Sequence, residues 1–407
     1  MTTEARPLTV GVPKETFPGE QRVAIVPDTV KHLAKAGMNA LIEAGAGYGA
    51  GFTDAQYREK GAEVVSDRLD VFVQSDIIAQ VRGLGANPEK GRDDLNFLKP
   101  RHTIVSLFEP LTAKNEVKAI AMSGVRSFAL ELIPRITRAQ NMDVLSSMAT
   151  IAGYKAAMIS AEKLPKMFPM MMTAAGTIKP AKVFIIGAGV AGLQCIASAK
   201  KAGAVVYAFD VRPEVKEQIE SLGGKFLEIE IADARGEGGY ARELTAEEKK
   251  KQQEMMATQI AESDVVITTA AVPGKKAPVL IPADVARRMH AGSVIIDMAA
   301  ERGGNCELAK AGETIVENGI TIIGPTNIPA NLPFHASQMF AKNVQNLLSL
   351  IIKDGQLTMD MEDEIIVGTL ECDGDQIVHK MAREIFGLEP LAKPEPAAEP
   401  VAEGSSA

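Results

Sequence analysis

The sequence predicts an α/β protein: two doubly wound units with parallel sheets, joined by long helices. Three observations predict it. Short apolar, β-branched runs alternate with helical patterns along most of the chain. Two helical patterns, 143–161 and 336–352, are much longer than the others and stand where one group of strand-like runs ends. The run 182–186 leads straight into Gly187-x-Gly189-x-x-Gly192, and a second run, 205–209, ends at Asp210. At 407 residues the chain is too long for one ordinary core, so two units are expected.

Taken in order, the first group of strand-like runs is 8–12, 40–43, 77–81, 103–108 and 127–130. Helical patterns separate them, such as 27–36, which Gly37 closes. Parallel strands covered by crossover helices are buried on both faces, which accounts for runs that are apolar throughout rather than alternating. The pattern 143–161 is helical, and Asp143 is suited to cap its first turn. After residue 182 come runs at 265–269, 294–298 and 321–324, again with helices between. The pattern 336–352 then carries Met339, Phe340, Val344, Leu347, Leu348 and Ile351 at helical spacing. The expected organisation is a discontinuous first unit, residues 1–142 and 333–386, around a second unit, 143–332. A plain succession of two units is the alternative. The tail, 387–407, has four prolines and no aromatic residue, and is expected to stay disordered.

The stretch 182–212 carries the chemistry. A strand, a glycine turn, an Ala-rich helix and a second strand ending in an acid form the βαβ fingerprint of dinucleotide binding, which makes this unit Rossmann-like. Gly187, Ala188, Gly189, Val190 and Gly192 would bring backbone close to a pyrophosphate at a helix N-terminus. Asp210 would accept from the adenosine ribose hydroxyls and repel a 2′-phosphate, which favours NAD(H). Its neighbours Val211 and Arg212 complete that corner, and an arginine there can accommodate a phosphate. A nucleotide-free α/β turn is the bland reading of the same residues.

Composition excludes other classes. The net charge of −8 argues against nucleic acid or anionic lipid as a direct partner. Cys195, Cys306 and Cys372 lie far apart, which implies a reducing compartment and no disulfide framework. There is no leader-like N-terminus and no apolar run long enough to span a bilayer, so a soluble chain is expected. No His, Cys or carboxylate cluster has metal-ligand spacing, and no metal is expected. The run Met170–Met172 is expected to fill gaps in the core. The glycine-rich segment 235–243, followed by the capping box Thr245-Ala-Glu-Glu248, reads as a lid beside the nucleotide site or as a solvated loop.

Several longer motifs identify a family: Val12-Pro-Lys-Glu-Thr-Phe-Pro-Gly-Glu-Gln-Arg22, Glu43-Ala-Gly-Ala-Gly47, Pro134-Arg-Ile-Thr-Arg-Ala-Gln-Asn-Met-Asp143, Met170-Met-Met-Thr-Ala-Ala-Gly176 and Gly324-Pro-Thr-Asn-Ile-Pro329. Through about residue 385 the chain resembles the NAD(H)-binding components of proton-translocating nicotinamide nucleotide transhydrogenases, and more distantly the alanine dehydrogenases. The resemblance implies a homodimer on the cytoplasmic face of the inner membrane, docked on a membrane-embedded proton-channel subunit. Hydride would pass between NAD(H) here and NADP(H) on a separate subunit, coupled to proton movement. It further implies that Arg135, Gln140, Asp143 and Ser146 hold the nicotinamide end, with Gln140 facing the second nicotinamide. Gly239, Tyr240, Gln252, Ala271 and Asn327 would also lie near the cofactor.

Residue chemistry separates the two relatives. Reducing an imine or carbonyl needs a proton donor or a cation at the developing charge. The positions where alanine dehydrogenases are expected to carry a lysine, a histidine and an aspartate here match Arg82, Phe108 and Glu301. His32 and His290 fall in helical patterns, His102 precedes a strand, and His335 and His379 stand isolated; structural roles are expected for all five. Hydride transfer between two nicotinamides needs only placement of two carbons ~3–3.5 Å apart in a dry cleft. An autonomous alanine dehydrogenase-like enzyme and a non-catalytic NAD(H)-binding module are the alternatives.

Overall fold

The structure is a computed structural model that describes residues 6–228, 245–270, 276–353 and 355–391. The first sheet takes β1 (Leu8–Val12), β2 (Met38–Glu43), β3 (Glu63–Val65), β4 (Ile77–Arg82), β5 (Thr103–Leu107) and β6 (Arg126–Ala129) from the N-terminal region. A small hairpin follows, β7 (Met171–Thr173) and β8 (Gly176–Ile178). The second sheet holds β9 (Lys182–Ile186), β10 (Val205–Phe209), β11 (Lys225–Phe226), β12 (Val265–Thr268), β13 (Val294–Asp297), β14 (Thr314–Glu317) and β15 (Ile320–Ile323). The pair β16 (Ile352–Lys353) and β17 (Gln356–Leu357) stands alone, and β18 (Leu370–Asp373) with β19 (Gln376–Ile377) returns to the first sheet.

The strand orders are β19-β18-β6-β5-β4-β1-β2-β3 and β11-β10-β9-β12-β13-β15-β14. In each, the chain winds outward from one central strand (β1, β9) and then crosses to its other side (β4, β12). Ligands bind such sheets in the crevice at the carboxyl end of that switch point. The sheets are mostly parallel, as the sequence predicts, and antiparallel strands at their edges make them mixed. β14 pairs antiparallel with β15, and β18 pairs antiparallel with both β6 and β19. For the first of these edges the cause is turn chemistry. Asn318 and Gly319 both take positive φ, 52° and 78°, and close the β14–β15 hairpin as an Asn-Gly turn.

Two long helices connect the units. Val144–Lys163, the entry helix, is capped by Asp143, whose carboxylate accepts from the Ser146 N–H at 2.9 Å. Its Val144, Met148 and Ile151 pack into the first core and its Ala156 into the second. Midway it crosses the helix Val190–Lys201 closely enough that a Cβ on Gly153 would lie 2.3 Å from the Ala191 carbonyl oxygen. The return helix, Pro333–Ile351, buries Phe340, Val344, Leu347, Leu348 and Ile351 in the first core.

Met170–Met172 do not fill the core. They lead into β7, where the three-residue strands join no sheet and leave both faces in solvent. Met172 is 81% exposed, and Ile178 on β8 is exposed as well. Residues 392–407 of the tail lie outside the described residues.

A buried carboxyl pair gives the first sheet a pH signature. Glu371 on β18 accepts from the Ser127 hydroxyl at 2.9 Å, and Glu131 accepts from the N–H groups of Phe108 and Glu109 at 2.7 and 2.8 Å. Burial pushes Glu131 up to about 7 and Glu371 up to about 8, with the Glu131 charge adding to the rise at Glu371. Glu15, buried and beside Glu20, also rises to about 8. Between about pH 4.5 and 8 the folded chain therefore keeps protons that the unfolded chain has lost, and stability falls as pH rises through that window. The melting temperature is expected to drop from pH 5 to pH 9, and to drop less in Glu371→Gln. A variant with the full wild-type drop would contradict this.

Candidate functional site

The glycine turn sits at the carboxyl end of β9, the switch point of the second sheet. Gly187 has φ +100°, a conformation that L side chains rarely adopt. A Cβ on Gly192 would lie 1.9 Å from the Gly187 carbonyl oxygen, so only glycine lets the helix start this close to the strand. Gly189 is the N-cap of the twelve-residue helix Val190–Lys201 and supplies no side-chain cap. A Cβ placed on it meets no atom within 4 Å. The helix thus opens its unsatisfied N–H groups and positive end onto free space, a cradle suited to a pyrophosphate.

Asp210 ends β10 beside this turn. Its carboxylate accepts from the Ala188 N–H at 2.7 Å and from Arg212 at 2.9 Å (N–H), 3.0 Å (Nε) and 3.1 Å (Nη2). Burial works to raise its pKa, but hydrogen bonds from Arg212 and Ala188 outweigh it and keep the carboxyl below its ordinary value. Arg212 is half exposed, so the guanidinium can swing away as a ribose approaches.

A cleft of about 1060 Å³ runs from this corner to the loop before the entry helix. That is at the top of the ~300–1,000 Å³ range of small-molecule sites. Arg135, Gln140, Asp143, Ser146, Gly187, Gly189, Val190, Asp210, Val211, Arg212 and Gln252 all line it. Ala188 and Gly192 lie just behind that lining. Gly239, Tyr240 and Ala271, with the proposed lid, fall outside the described residues.

The loop 134–143 is held from behind. Arg138 grips Asp363 with two bonds of 2.7 and 2.6 Å, while Asn343 and Asn346 of the return helix donate to the Asn141 carbonyl at 2.9 and 2.7 Å. Arg135 and Gln140 are left exposed in the cleft, and their side chains make no hydrogen bond among the described residues. Asp143 combines two roles. It caps the entry helix and accepts from the Ser146 hydroxyl at 2.6 Å while both side chains line the cleft.

Sequence reasoning missed a supporting layer. The Thr269 hydroxyl donates to the Gly187 carbonyl at 3.0 Å and so fixes the glycine turn. Asn305 donates to the carbonyls of Ala270 and Pro278 and accepts from the Ala270 N–H, holding two residues that line the cleft. Only the Asn after Gly303-Gly304 hinted at this.

Asn327 does not line the cleft. Its side-chain amide is engaged by Glu20 and Arg22 at 3.0 and 3.1 Å. Arg82, Phe108 and Glu301 are also off the cleft lining. Arg82 donates to Glu20 at 3.0 Å and stacks on Phe17, Phe108 is buried against Gly83, and Glu301 accepts from the Asn327 N–H. None of the five histidines lines the cleft either. His290 lies beyond the short helix Ala283–Ala286, paired with Asp264 at 3.1 Å, rather than in a helix. His335 is not isolated but sits within the return helix, edge-on to Phe334. His379 caps the helix Lys380–Phe386. Among the described residues no helix is long and apolar enough to cross a membrane.

Comparison with known proteins shows the family. Residues 11–152 match the family model "Alanine dehydrogenase/PNT, N-terminal domain" and residues 156–380 its C-terminal domain. The chain is 44% identical over 375 residues to an NAD(P) transhydrogenase alpha-subunit protein of Rhodospirillum rubrum, covering 91% of this chain and 97% of that protein. It superposes on a solved transhydrogenase from Sinorhizobium meliloti with a TM-score of 0.79 at 37% identity, covering 91% and 99% of the two chains. A solved L-alanine dehydrogenase gives 0.76 at 25% identity, with 93% and 99% covered. The chain belongs to the alanine dehydrogenase/PNT family, and within it to the NAD(P) transhydrogenase alpha subunits.

Proposed function

We propose that this chain holds NAD(H) in the cleft and exchanges hydride directly with NADP(H) carried by a separate subunit, coupled to proton movement through a membrane-embedded partner. The observation that carries the reading is the make-up of the cleft's nicotinamide end: Arg135, Gln140, Asp143 and Ser146, with no histidine or lysine lining the cleft among the described residues. Those groups suit a carboxamide and a ribose, since an amide offers one acceptor and two donors. The bound dinucleotide supplies the hydride. The chain's residues hold the ring, orient it and keep water away. Transfer between two nicotinamide rings moves no proton at the reacting carbons, so the step asks no general acid or base of the site. Arg135, Gln140, Asp143 and Ser146 anchor the carboxamide and the ribose, with Arg135 on the carboxamide oxygen and Gln140 facing the incoming ring. The helix N-terminus at Gly189 takes the pyrophosphate, and Asp210 the adenosine ribose. Gln252, which lines the cleft, lies beside the cofactor.

We assign residues 1–142 and 333–386 to one unit because β18 and β19 complete the first sheet, and residues 143–332 to the nucleotide unit. The exposed methionine hairpin at 170–178 suits the arm of a homodimer, since it offers apolar surface with no sheet of its own. Docking is placed at the cytoplasmic face of the inner membrane.

The isolated protein is expected to bind NADH, read by nicotinamide fluorescence, and to show negligible turnover with pyruvate and ammonia. Adding an NADP(H)-loaded partner domain is expected to start exchange. Robust alanine oxidation by the chain alone would support an amino-acid dehydrogenase instead. Binding without exchange, whatever partner is added, would leave a binding module.

A further inference from the structure

We propose that Glu20, Arg22 and Asn327 form a buried clamp between the two units, and that Asn327 is a positioning residue for hydride transfer rather than a ligand of the nicotinamide. The proposal rests on the function proposed above. It adds what sets the cleft's aperture.

The segment 20–23 belongs to the first unit and meets every element at the joint. Arg22 donates to Glu20 from Nε and Nη2, at 2.7 and 2.6 Å, with both side chains almost wholly buried. Its third nitrogen, Nη1, reaches the Met148 sulfur on the entry helix at 3.2 Å. The Val23 N–H donates to the Ser337 hydroxyl on the return helix at 3.0 Å. Arg82 at the end of β4 donates to Glu20 as well.

Asn327, in the loop after β15, closes the set from the second unit. Its oxygen accepts from Arg22 Nη2 at 3.1 Å and its nitrogen donates to Glu20 Oε2 at 3.0 Å. One amide therefore reads both members of a buried ion pair, which requires an acceptor and a donor side by side. Aspartate offers no donor and would face the Glu20 carboxylate. Asn327 also holds φ +45°, in the left-handed region that asparagine enters more readily than other non-glycine residues. Glu20 and Arg22 are buried and Asn327 is half-buried, and groups left unpaired there cost more than at the surface. The Glu109–Arg302 ion pair, which also spans the two units, is partly exposed, with 36% and 39% of the side chains accessible, and contributes little by comparison.

Hydride transfer depends steeply on the separation of two carbons, so a joint that fixes one unit against the other acts on rate more than on affinity. The native cysteines are all buried, so spin labels can be directed to Met122→Cys on the first unit and Val316→Cys on the second, both exposed positions. Distances between the labels are measured on the full chain without cofactor, and exchange is measured with the NADP(H)-loaded partner domain. Asn327→Asp is expected to broaden the distance distribution and to slow exchange at least tenfold, with NADH affinity within about threefold of wild type. Asn327→Ser, which removes both bonds without adding charge, serves where Asn327→Asp does not fold.

An unchanged distribution in Asn327→Asp or Asn327→Ser would overturn the clamp. A loss of NADH affinity that matches the loss of rate would make Asn327 a ligand. Absence of exchange in the wild-type chain would sink the functional reading and leave the distances to judge the clamp alone.

Discussion

Replacing Gln140 with Asn is expected to slow hydride exchange by about 100-fold while shifting NADH affinity by less than about threefold. Gln140 is exposed in the cleft, on a loop that Arg138, Asn343 and Asn346 brace from behind. Shortening its side chain by one methylene leaves that brace intact, along with the glycine turn and Asp210. Most of the contact area with the dinucleotide is therefore unchanged, and so is ground-state binding. What changes is the edge of the pocket that meets the second ring. A displacement of ~1 Å between reacting centres is enough to cost about two orders of magnitude. Fluorescence titration of NADH and single-turnover exchange separate the two quantities. Equal losses in both would place Gln140 in binding, and unchanged exchange would remove it from the reaction.

Gly192→Ala is expected to lower NADH affinity by more than about 100-fold and to destabilise the fold by ~1–3 kcal/mol, as overpacking does. The added Cβ would lie 1.9 Å from the Gly187 oxygen and 2.8 Å from its carbonyl carbon. Both are backbone atoms and cannot rotate away. The turn is also fixed by the Thr269 hydroxyl, and the helix behind Gly192 is pressed on the entry helix at Gly153. Either the turn or the helix crossing has to give. Gly189→Ala isolates the binding component. Its Cβ meets nothing within 4 Å among the described residues but occupies the space in front of the helix N-terminus. It is expected to melt like wild type and to bind NADH weakly. Thermal melts and titrations of both variants check the pair, and wild-type binding by Gly189→Ala would show that the cradle lies elsewhere.

How much of this was legible in the sequence depended on how local each feature is. The central strands β9 and β10 run over the residues their apolar runs mark, because a strand buried on both faces leaves a continuous signature. The edge strand β14 left less. It is four residues long and alternates between exposed and half-buried positions, whereas its neighbour β15 lies under the run 321–324. The strongest sign of β14 was the Asn318-Gly319 turn. At the site, the glycine turn, Asp210 and the cap at Asp143 are built from neighbours in sequence. The groups that hold the site in shape are not. Arg138 meets Asp363 across 225 residues and Asn141 meets Asn343 across 202, with no motif to announce either pairing. The methionine run misled for a related reason: Met fits a core or a sticky surface equally well, and only the absence of a sheet around β7 and β8 decides.

The most direct measurement follows the hydrogen itself. NADH carrying deuterium at both C4 positions is mixed with this protein and an NADP⁺-loaded partner domain in ordinary water. The NADPH formed is then weighed by mass spectrometry. Direct transfer between the rings puts one deuterium into every NADPH, and ordinary NADH in D₂O gives product with none. NADPH that carries hydrogen from the solvent would contradict direct transfer, since it would mean that a group able to exchange protons stands between the two nucleotides.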